Sequence, residues 1–132
     1  EQLKFLDETN LIRNQNFLKF SEAASHNHNF YCLDFKHMEF ISNFAYPVIC
    51  QNKEEFNNSV SKFSRNNVEI RPIVGGSMTE QPFFKIYSQN KELDYDCPNS
   101  KRIHELGFYL PNNPDMDNEE IKVICQLLKN EN

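Results

Sequence analysis

The sequence predicts an α+β fold, a small sheet of three to four strands packed with helices. Three observations carry that expectation. Segments of helical apolar period alternate with short β-branched or ring-rich runs, in the order α-β-α-β-α-β-α. The 132 residues, 39% apolar and 13% aromatic, suffice for one core. No internal repeat or linker divides residues 1–132, so they read as a single domain. Twelve phenylalanines and no tryptophan predict a core dense in rings.

The first helix is expected over residues 2–22. Leu3, Leu6, Phe17 and Phe20 fall on one stripe in steps of three and four, with Phe5 and Ile12 beside it. So wide an apolar arc asks for more cover than a small sheet gives, which suggests a partner domain or subunit. Residues 23–29 read as a polar turn. Phe30–Asp34 reads as a short strand, and Ile41–Cys50 as a stronger one that Pro47 confines to a sheet edge or a bulge. Asn52 with Glu55 resembles a capping box, and Phe56, Val60 and Phe63 then define an amphipathic helix over 53–65. Asn66-Asn67 suits its left-handed exit.

Val68–Pro72 is the next expected strand, Pro82–Tyr87 a short helical turn, and residues 88–96 a polar connection. Pro98 suits the first turn of a helix buried through Ile103 and Leu106 and stopped at Gly107. Phe108–Leu110 reads as a strand. Asp117 with Glu120 spells a capping box before a last helix buried through Ile121, Ile124, Cys125 and Leu128.

Composition excludes several function classes. The net charge of -5 is spread rather than blocked, so no basic surface points to nucleic acid. No segment approaches the roughly 18 apolar residues of a membrane span, and no signal peptide is visible, so a soluble cytoplasmic protein is expected. Cys32, Cys50, Cys97 and Cys125 form no C-x-x-C pair and are expected as reduced, buried or half-buried thiols. His26 and His28 lack a third ligand at a metal spacing and read as solvated. The chain opens at Glu1 rather than Met, as though cut from something longer.

The most specified stretch is Asn67–Pro82, NVEIRPIVGGSMTEQP. It runs from a β-branched segment including Val74 into Gly75-Gly76 and a polar string closed by Pro82. Glycine belongs where φ is positive or the backbone approaches something closely. Such a loop either presents groups to a ligand or simply connects strand to helix. Arg71 has the planar fork that holds a phosphate or carboxylate, with loop N–H groups nearby. An ordinary surface ion pair is the other reading. No complete catalytic motif is present, and Asp94 with Asp96 lies in a polar connection that would leave both carboxylates hydrated.

Four segments in order resemble the DegT/DnrJ/StrS family of pyridoxal-phosphate-dependent sugar aminotransferases. Gln2–Phe20 resembles the helix after the family's active-site lysine segment, keeping Gln2, Leu3, Leu6, Arg13 and Asn16, with Asn14 for the second arginine. Ser42–Val48 resembles its following strand. Ile70–Phe84 resembles its TRP…QPxF loop, best known in the branch acting on nucleotide-linked 4-keto-6-deoxy sugars. Cys97–Ile121 resembles its closing LPN segment.

The resemblance implies the C-terminal domain of a fold-type I aminotransferase, with residues 1–22 as a linking helix and 23–132 as the small α+β domain. The N-terminal large domain, absent from this chain, would supply the Schiff-base lysine and most contacts to pyridoxal phosphate (PLP). This chain alone would then bind no cofactor and have no catalytic residues. It also implies a homodimer and a nucleotide-sugar substrate, with Arg71, Gly76, Ser77, Met78, Thr79 and Gln81 lining the cleft. Ser77 stands where the branch has Asn, Glu80 where it has Arg, and Asn113 where it has His. A dehydratase of the same family and a non-catalytic binding or assembly module are the alternatives.

Overall fold

A short 3-10 turn, Gln2–Phe5, runs into α1, Leu6–Ser25. The computed structural model describes residues 2–73, 75–88 and 96–129; Val74 and Asp94 lie outside the described residues. α1 continues past residue 22 because Ala23 and Ala24 are strong helix formers and Ala23 enters the core at 2% exposure. The expected stripe is divided. Phe17 and Phe20 are buried, whereas Leu3, Phe5 and Leu6 are exposed.

Among the described residues, three strands form one antiparallel sheet in the order β1-β3-β2: β1 is Ala45–Ile49, β2 is Arg71–Pro72 and β3 is Gly107–Pro111. Pro47 faces Tyr109 from edge strand β1, where a missing ladder donor is tolerated. Arg71 pairs with Tyr109 from the other side. α2 spans Lys53–Arg65, α3 Pro82–Tyr87, α4 Pro98–Leu106 and α5 Asn118–Leu128. Asn52 caps α2 by accepting from the Glu55 N–H at 3.0 Å, and Asn67 turns away from it at φ 58°. Asp117 and Glu120 form the reciprocal capping box of α5.

Three expected strands are shortened, each for a local reason. Beyond a single bridge between Phe30 and Cys50, the Phe30–Asp34 segment leaves the sheet, and Phe35 meets Phe17 edge-on at 5.3 Å. The strand expected from Ile41 begins only at Ala45, because α1 side chains hold the preceding residues. The Ile41 N–H donates to Asn14 Oδ1 and the Ser42 hydroxyl to Asn10 Oδ1. Val68 does not join β2, because its N–H donates to the Phe63 carbonyl and closes α2. Ile103 and Leu106, expected buried on α4, are half-buried, as is Cys125 on α5.

One sheet face, Tyr46 and Val48 with Phe108 and Leu110, belongs to a single apolar cluster. Phe17 and Phe20 of α1, Phe63 of α2 and Ile121, Ile124, Leu127 and Leu128 of α5 complete it. Phe17 and Phe20 meet Tyr46 edge-on at 5.2 and 5.7 Å, an aromatic interior as expected. Tyr109, Pro47 and Pro111 on the other face are half-buried. No helix among the described residues is long and apolar enough to cross a membrane.

The four cysteines are free, but Cys32 and Cys97 are exposed rather than buried, Cys32 because its segment leaves the sheet and Cys97 because it precedes the first turn of α4. Cys50 is fully buried, and burial pushes its thiol from 9.0 up to about 11, against the lowering effect of the Ser59 hydroxyl. The folded state thus keeps its proton where the unfolded state loses it. Stability is retained below pH 9 and falls as pH rises toward about 11. The loss should reach about 2–3 kcal/mol by the upper end. Melting at pH 8 and at high pH checks this: Cys50→Ala should flatten the alkaline drop, and an unchanged drop would refute the assignment.

Candidate functional site

β2 ends at Pro72, and the chain then turns through Gly75 at φ +84° and Gly76 at φ +39°. Both are left-handed conformations that other residues adopt at a cost. Gly76 is also the point of closest approach to α4: a Cβ there would run into the His104 ring. Ser100, one turn earlier on α4, donates its hydroxyl to the Gly76 carbonyl at 3.3 Å. The glycine pair therefore lays the loop against the helix.

Beyond it, a single 3-10 turn, Met78–Glu80, forms as the Glu80 N–H donates to the Ser77 carbonyl at 3.2 Å. Ser77 is 1% exposed, with its hydroxyl 2.9 Å from that of Thr79. Met78 and Glu80 face solvent, while Thr79 and Gln81 are half-buried. Gln81 hands the chain to α3, whose first residue is Pro82. The loop thus presents Met78, Glu80 and parts of Thr79 and Gln81, and keeps Ser77 inside.

Arg71 has different neighbours. Its Nε donates to Glu69 Oε1 at 2.9 Å, and its terminal nitrogen reaches the same oxygen at 2.9 Å. That carboxylate raises the guanidinium's already high pKa, with a smaller contribution from the Tyr109 hydroxyl. The pair is largely exposed and lines a hollow of about 180 Å³ with Phe44, Ala45, Tyr109 and Pro111. Arg71 is therefore held in a surface ion pair. Phe44 and Tyr109 form one wall, their rings edge-on at 5.7 Å.

Sequence reasoning brought Ser77 and Thr79 together, and missed Glu69, Phe44 and Tyr109 around Arg71 and Ser100 and His104 under Gly76. Glu69 was within reach of a simple rule, since residues two apart on an extended chain share a side. Ser100 and His104 stand four apart and so share a helical face. Tyr109 and Phe44 reach the hollow through strand register, which no local spacing reveals. His26 and His28 are exposed, and no cluster of three metal-ligating side chains occurs among the described residues.

The two glycines allow a clean comparison. Nothing lies within 4 Å of a Cβ on Gly75, so Gly75→Ala should cost only the backbone term, about 1–2 kcal/mol. Gly76→Ala should cost roughly 1–3 kcal/mol more, from overpacking against His104. Urea denaturation of Gly76→Ala with and without His104→Ala reads the coupling. Strict additivity would show that the ring and the loop are not in contact.

The family model of the DegT/DnrJ/EryC1/StrS aminotransferase family matches residues 1–129. The chain belongs to this family. Among solved structures, an Escherichia coli GDP-4-keto-6-deoxy-D-mannose-3-dehydratase with bound hydrated PLP is 22% identical, with a TM-score of 0.72. The match covers 98% of this chain and 33% of that one. A GDP-4-keto-6-deoxymannose-3-dehydratase carrying a trapped PLP-glutamate geminal diamine is 20% identical at a TM-score of 0.78, with the same coverage of 98% and 33%. A DegT/DnrJ/EryC1/StrS aminotransferase from Brucella abortus is 15% identical at a TM-score of 0.76, covering 97% and 32%. Such a DegT-family chain thus has the fold of these PLP fold-type I proteins over about a third of their length. No curated protein sequence matches it.

PLP needs a lysine amine in an enclosed polar cavity, with an acid against its ring nitrogen. The described residues do not fit that requirement. Each described lysine side chain is exposed except Lys62, which is half-buried with its Nζ 3.4 Å from the Lys129 carbonyl.

Proposed function

We propose that this chain is the C-terminal lobe of a PLP-dependent aminotransferase acting on a nucleotide-linked keto-deoxy sugar, and that it helps to close the substrate cleft. The observation that carries the reading is family membership over residues 1–129 in a chain spanning about a third of its structural neighbours. PLP, held by a preceding large domain, supplies the electron sink. The exposed Leu3 and Phe5 of the 3-10 turn and Leu6 and Leu11 at the start of α1 support the reading, since this is apolar surface that the lobe does not cover for itself.

In this reading the lobe's part is to bind and orient. Arg71 meets the sugar nucleotide's phosphates, and Gly76, Met78, Thr79 and Gln81 form the edge of the cleft, with Ser77 holding Thr79 from behind. Glu80 turns a negative charge toward solvent, which favours keeping the diphosphate on the Arg71 side. The enzyme is a homodimer in the cytoplasm and serves sugar-nucleotide or polysaccharide biosynthesis.

Calorimetric titration of GDP- and dTDP-linked 4-keto-6-deoxy sugars tests it, with and without the large domain encoded upstream. Binding that requires both lobes and weakens about tenfold or more in Arg71→Ala is expected. An upstream frame without a cofactor-binding domain, or binding indifferent to Arg71, would overturn the reading. The family's dehydratase branch is the second reading, favoured by the two dehydratase structures above. Histidine in place of the upstream lysine would select it.

A further inference from the structure

Arg13 Nε and Asn16 Nδ2 on α1 and Asn112 Oδ1 just after β3 are each buried without a hydrogen-bond partner. Asn16 is 2% exposed and Asn112 fully buried. Buried groups left in this state are rare and costly. Their residues are neighbours: Asn112 Nδ2 donates to the Arg13 backbone carbonyl, and Asn16 follows Arg13 by three residues on the same face of α1.

The Asn112 amide can take only one orientation. Its nitrogen donates to two carbonyl oxygens, of Arg13 at 3.0 Å and of Asn43 at 2.8 Å, and only the NH2 end can satisfy both. Its Oδ1 is therefore an acceptor lacking a donor.

We propose that Arg13, Asn16 and Asn112 enclose one permanently bound water. Two N–H donors and one carbonyl acceptor are what a water satisfies by accepting two hydrogen bonds and donating one. If the Asn16 amide were turned over, the same water would accept one and donate two, so the count closes either way. An anion has no hydrogen to give Asn112 Oδ1. A metal cation would meet the positive charge of Arg13.

The water joins α1 to the turn after β3, and its neighbours hold residues 41–44. The Ile41 N–H donates to Asn14, the Ser42 hydroxyl to Asn10, and the Asn112 N–H to the Phe44 carbonyl at 3.1 Å. Phe44 is part of the wall of the Arg71 hollow. The hydrated cluster is thus a positioning element for that wall, independent of which sugar nucleotide the family member uses.

A high-resolution crystal structure, together with water-to-protein ROESY on labelled protein, tests this. Expected is one ordered water within about 2.7–3.2 Å of all three atoms, with cross-peaks to Arg13 Hε and the Asn16 amide. In Asn16→Leu the Arg13 cross-peak should vanish, and exchange of the Phe44 and Ile41 amides should rise several-fold. A direct Asn16–Asn112 hydrogen bond with no water, another side chain in the space, or an Arg13 cross-peak unchanged in Asn16→Leu would each overturn it. The wild-type measurement stands alone if the variant does not fold.

Discussion

Phe108→Ala should lower folding stability by about 4 kcal/mol, a substantial part of what a domain of this size possesses. Phe108 is 1% exposed in the middle strand, paired with Val48 on one side and Pro72 on the other. Its ring meets Phe63 at 5.7 Å and Phe56 at 6.1 Å, both edge-on, and so joins the sheet to α2. Alanine would leave a cavity between two rigid elements that cannot easily collapse. Because Phe108 also faces Pro72, the loss should loosen β2 and with it Arg71. Phe44→Ala is the control: its ring is 68% exposed and meets Tyr109, so about 1 kcal/mol or less is expected. Urea denaturation of both decides. Equal losses would mean that α2 does not depend on this ring.

The helices were legible because their signals are local. Asn52 with Glu55, Asp117 with Glu120, and Pro82 and Pro98 at helix starts all act within one turn, and each occurs where the sequence put it. Strand lengths were not legible, because a strand lasts only as long as its backbone finds a partner strand. Ile41 looks like strand in composition but is held by Asn14, twenty-seven residues earlier. Val68 looks the same and is claimed by the end of α2. Exposure was misread where apolar composition was taken as burial. Cys32, Leu3, Phe5 and Leu6 sit outside the core, although their residue types favour it.

The candidate site divides along the same line. Gly75-Gly76 could be read as a backbone requirement from the sequence, and both have positive φ. That Gly76 needs its missing side chain because of His104, nearly thirty positions later, could not. Arg71 was open between an anion site and an ion pair. The Glu69 contact favours the pair in this conformation while leaving the hollow beside it accessible.

Asn112→Leu is the second substitution expected to be severe, at about 2–4 kcal/mol, although it replaces a polar residue with an apolar one of similar size in a buried position. Volume is not the issue. The Arg13 and Asn43 carbonyls would each lose the donor that Asn112 supplies, and a deserted acceptor of this kind costs about 1–3 kcal/mol. Asn112→Asp separates this account from simple packing. At neutral pH its carboxylate would face two carbonyl oxygens with nothing to donate, so it should be at least as damaging as leucine. Burial and those two carbonyls at 2.8 and 3.0 Å raise the carboxyl's pKa in the folded state above its unfolded value near 3.9, against the opposing pull of the Arg13 guanidinium, which reaches the site only through water. The folded form therefore binds a proton that the unfolded form releases, and stability should recover as pH falls through the raised pKa. The protonated acid can donate to one of the two carbonyls, restoring part of the lost bonding. Chemical denaturation from pH 7 down to about 4, with Asn112→Leu alongside to remove the background pH dependence, measures that recovery. An Asp variant that tracks the Leu variant across the whole range would mean the amide is not bridging the first helix to the segment before β1.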